Sequence, residues 1–520
     1  MGGINILIMA KVLLINSNRF MHPWPVIPFG LCYVASALEA DGKHNVAFLD
    51  LCFSLNCEED IQKSIRKFVP DVIGISIRNI DDTGGYATHF LLEDVKYDVV
   101  DFCKKEFSGP IVIGGPSVGI SGREMLEFFD LEYAVRGDGE AVMPEFVKRV
   151  ESGQSMEGLK GLIIRREGII TEDNEPFRME NLDSIPFPKP LRYLNLKQYR
   201  KFGSPLHIQT KRGCALRCSY CTYNKIEGKK YRLRNPGLVA DEIEILVKET
   251  GITHIEFTDS IFNFPLSHAK EVLREVIRKK LDLRLHTMGL SPGAVDEELL
   301  DLMKCAGFDE VDIGAESTCD AILENLAKDF DYNDIINTSK LVKKKKIPVT
   351  WFIMLGAFAE TRETVFESLN NISRVASKWD LVFVSTGIRV YNGAPISLEL
   401  IKQNIQCTSD NFLHPVKIEP ANISLSEIHT IAKRFSFRFP NFYLYEKEHI
   451  KPGWALIAAN FLLKFFHSRQ PVWRLLILLK KIEQIIGITL VKRGIYELKY
   501  SFIRNRSLSA NGFTIIKKNK

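Results

Sequence analysis

The sequence lacks the features that would place the protein in a membrane or outside the cell. No apolar run approaches the ~18–20 residues that a spanning helix needs. The first apolar stretch, Ile4–Ala10, lacks the basic residues that open a signal peptide, and Ile6 stands where a myristoylation signal has Ser or Thr. We therefore expect a cytoplasmic protein that makes at most peripheral contact with a membrane.

The sequence also lacks a GxGxxG loop, which weakens a nicotinamide-binding interpretation. It is not poor in cysteine, but its 10 cysteines are unevenly distributed: three lie within eight residues, and the others are scattered singly. In a chain without a secretion signal, such clustering favours metal binding over disulfide formation.

Charge of one sign is concentrated at the carboxyl terminus. From Lys451 onward there are 14 Lys or Arg and two Glu, a local charge of +12, so the preceding 450 residues carry 5 − 12 = −7. The acidic main part of the chain argues against nucleic acid as a partner. The basic, apolar tail needs a separate explanation.

The first 155 residues predict a doubly wound α/β domain. Short runs rich in Val, Ile and Leu alternate with segments of helical spacing, which is typical of buried parallel strands joined by helices. We place this domain at residues 11–155. Its predicted strands are Lys11–Asn16, Asn45–Asp50, Asp71–Ile77, Pro110–Gly114 and Leu131–Arg136. Ligands of such sheets bind beyond the carboxyl ends of the strands.

Three further regions follow the first domain. Residues 156–204 read as a hairpin and a proline-rich linker, because Pro176, Pro186, Pro188 and Pro190 prevent a continuous helix. Residues 205–400 contain six more strand–helix units, which predict a partial (β/α)6 barrel. Residues 401–520 read as a helical, basic carboxyl-terminal region.

The strongest signal in the chain is the CxxxCxxC spacing of Cys214, Cys218 and Cys221. Three thiolates bind three irons of a 4Fe-4S cluster and leave the fourth iron open. An open iron can chelate the amino and carboxylate groups of S-adenosylmethionine, so that one electron cleaves its C–S bond to a 5′-deoxyadenosyl radical. The alternative is a structural zinc site, which prefers four ligands and would need a distant one such as Cys305.

At these residues the chain resembles the radical S-adenosylmethionine superfamily. In that family the cysteine loop follows the first barrel strand and has an aromatic residue before its third cysteine, as Tyr220 is here. Later strand-end motifs also match in order and spacing. The resemblance implies that Tyr220, Asp259, Glu316 and Ser317 contact S-adenosylmethionine.

A doubly wound domain ahead of such a barrel resembles the cobalamin-dependent branch, which includes methyltransferases and the anaerobic Mg-protoporphyrin monomethyl ester cyclase. Many cobalamin domains ligate cobalt with the His of a DxHxxG loop, but here that loop reads Asn16-Ser17-Asn18. We therefore expect no His beneath cobalt. The alternative is a domain that binds another nucleotide, or nothing. The resemblance implies cobalamin contacts from Arg78, Gly114, Gly115, Gly137, Gly139 and Glu140.

The tail contains two apolar, helical segments, Trp454–Phe466 and Val472–Ile486. We favour a helical layer that caps the barrel mouth. The alternative is an interfacial helix whose Arg474, Lys480 and Lys481 meet anionic lipid, which would suit a hydrophobic substrate.

The resemblance implies a C-methyltransferase that acts on an unactivated carbon of a small molecule and draws electrons from a flavodoxin- or ferredoxin-like donor. One alternative is oxidative ring closure or rearrangement on the same scaffold. Another is a cobalamin- or redox-sensing protein without turnover. The residues of the sequence do not specify the substrate, the catalytic side chains or the oligomeric state.

Overall fold

The structure is a computed structural model that describes residues 9–21, 24–40, 44–83, 88–402, 412–445, 471–486 and 514–517. Its amino-terminal domain is built on a seven-stranded sheet. The strand order is β2-β1-β3-β4-β5-β6-β7, and the first five strands are parallel, as predicted. The strands are Lys11–Asn16 (β1), Asn45–Asp50 (β2), Val72–Ser76 (β3), Ile111–Gly114 (β4), Tyr133–Val135 (β5), Leu162–Arg166 (β6) and Ile169–Asp173 (β7).

The hairpin expected in the linker belongs to this sheet. Strand β6 pairs antiparallel with β5, and β7 pairs antiparallel with β6, so the first sheet extends to Asp173 rather than ending before residue 156. Helices cover both faces because the strands are apolar on both sides. They are Phe29–Glu39 (α1), Cys57–Phe68 (α2), Leu91–Val95 (α3), Asp101–Glu106 (α4), Pro116–Phe129 (α5) and Gly139–Ser152 (α6), with a π-helical turn at Lys96–Val100.

The second unit is a partial barrel with one more strand than predicted. Its strands are Leu206–Ile208 (β8), His254–Phe257 (β11), Arg284–Thr287 (β12), Val311–Glu316 (β13), Val349–Leu355 (β14), Leu381–Thr386 (β15) and Phe442–Leu444 (β17). The strands form two parallel sheets, with the orders β12-β11-β8 and β13-β14-β15-β17. Isolated β-bridges connect the two sheets. Strand β17 corrects the expectation that alternation stops near residue 400.

Short ribbons and helices complete the described chain. The ribbons pair Lys211–Arg212 (β9) with Arg232–Leu233 (β10), and Val416–Glu419 (β16) with Thr514–Lys517 (β18). The helices are Pro190–Tyr193 (α7), Leu196–Lys201 (α8), Tyr223–Ile226 (α9), Pro236–Thr250 (α10), Leu266–Arg278 (α11), Glu297–Ala306 (α12), Asp320–Asn325 (α13), Tyr332–Lys345 (α14), Arg362–Val375 (α15), Pro395–Lys402 (α16), Leu425–Arg438 (α17) and Val472–Ile486 (α18), with 3-10 turns at Leu182–Ser184 and Pro292–Ala294.

Helix α18 lies at the amino-terminal end of the barrel strands, opposite the mouth that we expected it to cap. Its Trp473 indole donates to Glu310, which precedes β13. Its Lys480 donates to the carbonyl of Phe442, the first residue of β17, at 3.1 Å. Lys481 lies 3.5 Å from the centroid of a tryptophan ring. Two of the basic side chains proposed to meet lipid thus contact the protein.

Among the described residues, no helix is both long and apolar enough to cross a membrane. The segment Trp454–Phe466, expected to be helical, lies outside the described residues.

Candidate active site

The three cysteines follow β8 at the carboxyl end of the barrel. Cys214 and Cys218 are buried and Cys221 is half-buried. Burial raises the pKa of the Cys218 thiol and raises that of Cys221 to about 11. Bound iron offsets this, because a metal stabilises the thiolate. Cys305, the distant ligand named for the zinc alternative, is exposed on α12, which leads into the amino end of β13.

Backbone contacts fix the start of the loop. Gly213 has a φ of +96°, and a Cβ there would lie 2.0 Å from the carbonyl oxygen of Lys230, so only glycine fits. The Cys214 N–H donates to the carbonyl of Gly228 at 3.0 Å. The Ser260 hydroxyl donates to the carbonyl of Gly213 at 2.9 Å. The first cysteine is therefore held before any cofactor arrives.

Asp259, which we expected to meet S-adenosylmethionine, is occupied by protein groups in the structure. Its carboxylate accepts hydrogen bonds from the Thr210 N–H and hydroxyl, both at 2.7 Å. It also accepts from the Lys211 ammonium at 2.9 Å, and both members of this ion pair are fully buried. Asp259 thus secures the segment that leads into the cysteine loop, and its contact with the cofactor stays a prediction.

Tyr220 and Glu316 are brought together by a third residue, Lys328. The Lys328 ammonium donates to the Tyr220 hydroxyl at 3.3 Å and lies 3.8 Å from Oε1 of Glu316. Burial, followed by the charge of Glu316, raises the pKa of Tyr220 well above its ordinary value. Glu316 has a φ of +59° at an irregularity in β13, a strained backbone of the kind found at functional sites. Nothing in the motif spacing indicated Lys328.

Ser317 is buried and turned toward α15. Its hydroxyl lies 2.8 Å from the Ser368 hydroxyl and accepts the Cys319 N–H at 3.1 Å. Glu316 and Ser317 are therefore adjacent in sequence but have different surroundings. The contact of Ser317 with S-adenosylmethionine stays a prediction.

The carboxyl edge of the first sheet has room for a ligand at Gly114. A Cβ at this residue would meet only Val135, at 4.0 Å, so no protein atom requires glycine here. In the loop after β1, which is separated from β4 by β3, Asn18 is 7% exposed and its side-chain Nδ2 has no hydrogen-bond partner in the described structure. A buried amide donor is costly to leave unpaired. The open space at Gly114 and the unpaired donor of Asn18 lie along the same carboxyl edge of the sheet, and together they fit a polar ligand such as the nucleotide tail of cobalamin.

Two other predicted glycines are explained by the chain itself. Gly115 has a φ of +107°, and its Cβ would lie 2.6 Å from the carbonyl oxygen of Ile77. Gly137 has a φ of +90°, and its Cβ would lie 2.1 Å from the carbonyl oxygen of Phe177. A Cβ at Gly139 would meet a valine side chain at 3.3 Å. Close backbone packing thus accounts for Gly115 and Gly137 without a ligand.

Arg78 follows β3 and faces the barrel. Its guanidinium donates to the side chain of Asn79 at 3.2 Å. Burial lowers the pKa of Arg78, while the charges of Tyr223 and Glu256 raise it. Both of these partners belong to the barrel unit, so Arg78 stands between the two domains.

Glu140 does not point freely from the sheet edge but joins a buried charge cluster. Arg212 donates to Oε1 of Glu140 at 2.6 Å and to Oδ1 of Asp138 at 2.9 Å, and Arg232 also pairs with Asp138. Burial favours the neutral form of Asp138, but these arginines lower its pKa. We call Asp138, Glu140, Arg212 and Arg232 the interdomain cluster. It joins the amino end of α6 to the residues just before Cys214.

Two families match this chain over the two units just described. Residues 208–372 match the Radical SAM superfamily, and residues 23–147 match the B12 binding domain. The chain is a cobalamin-dependent radical S-adenosylmethionine enzyme. The expected fold class and the three expected cofactors, a 4Fe-4S cluster, S-adenosylmethionine and cobalamin, are confirmed.

Similar proteins place the enzyme among methyltransferases. An uncharacterized methyltransferase of Pyrococcus horikoshii is 28% identical over 82% of this enzyme and 89% of the relative. Tryptophan 2-C-methyltransferase of Streptomyces laurentii is 28% identical over 64% of this enzyme and 65% of the relative. A radical S-adenosylmethionine methyltransferase from Kitasatospora setae, solved with cobalamin and a 4Fe-4S cluster, superposes with a TM-score of 0.70 at 27% identity, covering 76% of this enzyme and 78% of that chain.

The residues of the enzyme fit these cofactors. Cys214, Cys218 and Cys221 would hold the cluster, and the carboxyl edge around Gly114 would receive cobalamin. The methyltransferase function expected from the sequence is confirmed at the level of these relatives.

Proposed function

We propose that the enzyme transfers a methyl group to an unactivated carbon of a small molecule. When bound, the cluster supplies the electron that cleaves S-adenosylmethionine, and cobalamin carries the methyl group. The solved relative from Kitasatospora setae has also been seen with tryptophan as substrate, which supports a small molecule as the acceptor here.

The single observation that carries this proposal is the interdomain cluster. Arg212 lies two residues before Cys214 and pairs with Asp138 and Glu140 at the carboxyl edge of the first sheet. A side chain from the cysteine loop therefore contacts the edge where cobalamin would bind. Transfer between two cofactors and one substrate requires this proximity, because reacting atoms must be held a few ångströms apart.

The chain's own residues have three tasks in this scheme. Lys328 neutralises Glu316 and orients Tyr220 beside the cysteine loop. Arg78 places a positive charge between the sheet edge and the barrel. The buried loop keeps water from the reacting centre, which protects a radical from side reactions.

Isotope transfer tests the proposal. The anaerobically reconstituted enzyme would be given hydroxocobalamin, methyl-deuterated S-adenosylmethionine, Ti(III) citrate and candidate acceptors, tryptophan among them. We expect 5′-deoxyadenosine, S-adenosylhomocysteine and a product in which one deuterated methyl replaces one hydrogen. Mass spectrometry of the three products makes the measurement. An acceptor that loses hydrogen and gains no label would overturn methyl transfer.

Ring closure is the second candidate because the anaerobic magnesium-protoporphyrin IX monomethyl ester cyclase of Rubrivivax gelatinosus is 25% identical over 69% of this enzyme and 62% of that protein. The same experiment separates the alternatives. A cyclase gives 5′-deoxyadenosine without label in the product, and a sensor gives neither.

The spectrum of cob(II)alamin tests how cobalamin is held. The described residues after β1 are Asn16-Ser17-Asn18-Arg19, and His89 is paired with Asp94 at 2.9 Å. We therefore expect no axial nitrogen from the protein, and electron paramagnetic resonance of the loaded enzyme without nitrogen superhyperfine splitting. Free cob(II)alamin with its own base bound is the positive control. Clear splitting in the enzyme would refute the assignment.

We further propose that an external flavodoxin- or ferredoxin-like donor in the cytoplasm supplies the electrons, since S-adenosylmethionine cleavage consumes one per event. Peripheral membrane contact through the tail would be an additional route for a hydrophobic acceptor.

A further inference from the structure

The interior of the barrel carries a row of acids and imidazoles that the cofactors do not account for. His207, Glu256, His286 and Asp312 come from β8, β11, β12 and β13. Glu256 is in register with His207 on one side and His286 on the other. The residues flanking Glu256 belong to the core beneath the helices, so the alternate residues face the interior. We call these four side chains the acidic ladder.

The members of the acidic ladder contact one another in sequence. Nδ1 of His207 lies 3.0 Å from Oε2 of Glu256, and Nε2 of His286 lies 3.0 Å from Oδ2 of Asp312. The Thr350 hydroxyl of β14 also bonds to Asp312. Within the described chain, no Lys or Arg lies within 4 Å of either carboxylate, so imidazoles and a hydroxyl are their nearest polar partners.

Neither ring nitrogen of His207 makes a hydrogen bond to the described residues. His207 is 7% exposed, its Nδ1 has only the ion-pair contact with Glu256, and its Nε2 has no partner. Leaving a buried polar atom unpaired costs free energy, so native proteins fill such positions with a ligand or water. The Asp312 carboxylate, which has no Lys or Arg within 4 Å among the described residues, adds to this cost. The acidic ladder is therefore incomplete as a purely structural network.

The opposite wall of the barrel is aromatic. Phe352, Phe383, Tyr443 and Tyr445 come from β14, from β15 and from β17 with the residue after it. The ring centroid of Phe383 lies 5.3 Å from that of Phe352, 5.7 Å from that of Tyr443 and 5.5 Å from that of Tyr445. All four remain half-exposed although they face the barrel interior, and the Lys480 ammonium of α18 lies over the ring of Tyr443, 5.7 Å from its centroid. The exposure of Phe352, Phe383 and Tyr445 indicates open space in front of these three rings.

The barrel interior is closed at the amino-terminal ends of its strands and open at their carboxyl ends, toward the first domain. The ring of Trp24 packs edge-on against His286, with centroids 6.4 Å apart, and Trp473 of α18 reaches Glu310. At the carboxyl ends of the strands, the Tyr445 hydroxyl donates to the carbonyl of Asp82 in the first domain at 3.5 Å. The charges of Arg78 and Glu256 also attract each other. A molecule in this interior would thus lie next to the cobalamin edge.

We propose that this interior is the acceptor site and that it selects a planar, apolar molecule bearing a protonated amine. The ammonium would donate to Glu256 and Asp312, and the planar part would lie against the four aromatic rings. This inference rests on the proposed methyl transfer and names the class of its acceptor. Burial raises the pKa of Asp312 to about 7, as expected for a buried carboxylate that has no cationic ligand bound.

Binding of a matched pair of probes tests the proposal without turnover. The enzyme loaded with cluster, cobalamin and S-adenosylhomocysteine would be dialysed against 2-phenylethylamine or 2-phenylethanol, which share a ring and differ in charge. We expect the amine to bind about tenfold or more tightly, the contribution of a charge-assisted hydrogen bond. Asp312→Asn and Glu256→Gln should each reduce the preference, and Phe383→Leu should weaken both probes equally.

Control measurements keep the outcomes distinct. Glu249→Gln, on the exposed face of α10, should bind as the wild type does. Iron content and bound cobalamin in Asp312→Asn should equal those of the wild type, which shows that the variant is folded and loaded. Equal affinity for the two probes, or a preference that survives in both acid variants, would overturn the acceptor class. The isotope experiment tests methyl transfer separately from the acceptor class.

Discussion

Cys218→Ala is expected to abolish the iron–sulfur cluster and all cleavage of S-adenosylmethionine. Iron in the reconstituted enzyme should fall from about four atoms per chain to near none, because two thiolates do not hold a four-iron cluster. Cys218 is buried, and Cys221 is the nearest cysteine in sequence, itself already a ligand. Iron and sulfide analysis with the visible absorbance of the cluster makes the measurement.

Cys305→Ala is the matched control for this experiment. Cys305 is exposed near the end of α12, which leads into the amino end of β13, while Cys218 lies at the carboxyl end of the barrel. The control should keep its iron and its production of 5′-deoxyadenosine. Wild-type enzyme that retains stoichiometric zinc and shows no iron-dependent absorbance would contradict the assignment.

Arg212→Met should be the most damaging change outside the cysteines. Removing one member of a buried ion pair costs about 3–5 kcal/mol, since the charge of Glu140 stays buried without its partner, while Asp138 keeps Arg232. The carboxylates of Asp138 and Glu140 are only 4% and 6% exposed, so water does not replace the guanidinium. Urea unfolding should show this loss, and iron content should fall because Cys214 is two residues away.

Arg278→Met provides the comparison on a surface ion pair. Arg278 of α11 is 65% exposed and pairs with Glu275 on the same helix, a contact worth about 0–1 kcal/mol. Arg212→Lys adds a second test, because it keeps the charge and loses the forked contact to Asp138 and Glu140. Equal losses for Arg212→Met and Arg278→Met would show that the interdomain cluster is dispensable.

The strands of both units were predictable because each is a short run of Val, Ile and Leu. The predicted and observed limits of β1 and β2 are identical. The barrel's last strand, Phe442–Leu444, was missed because it has only three residues and follows a long irregular stretch. A short strand is set by the neighbour it pairs with, here β15, and this information is not local.

The site was predictable where chemistry is encoded in spacing, and less so where it depends on distant contacts. CxxxCxxC identifies three ligands within eight residues. Glu140 was assigned to cobalamin from its place after a strand, whereas it pairs with Arg212, 72 positions away. Lys328 was missed for the same reason. Sequence patterns identify a residue's chemistry, but its partner is decided by the fold.

The acidic ladder carried a weaker signal. His207, Glu256, His286 and Asp312 each follow a buried apolar residue in their strands, and each alone reads as an ordinary polar residue of a strand. Only the strand register places them side by side. Parallel strands separated by helices combine residues that lie up to 105 positions apart, which no local pattern records.

The lower side of the barrel is assembled from the two ends of the described chain. Trp24 precedes every barrel strand, while Trp473 follows all of them. At synthesis rates of ~5–20 residues per second, Trp473 emerges on the order of ten seconds after the end of β15. During that interval only Trp24 is available to cover the amino-terminal end of the barrel, and the aromatic wall is exposed to solvent at that end. The amino-terminal end of the barrel is therefore completed only after Trp473 has been synthesised.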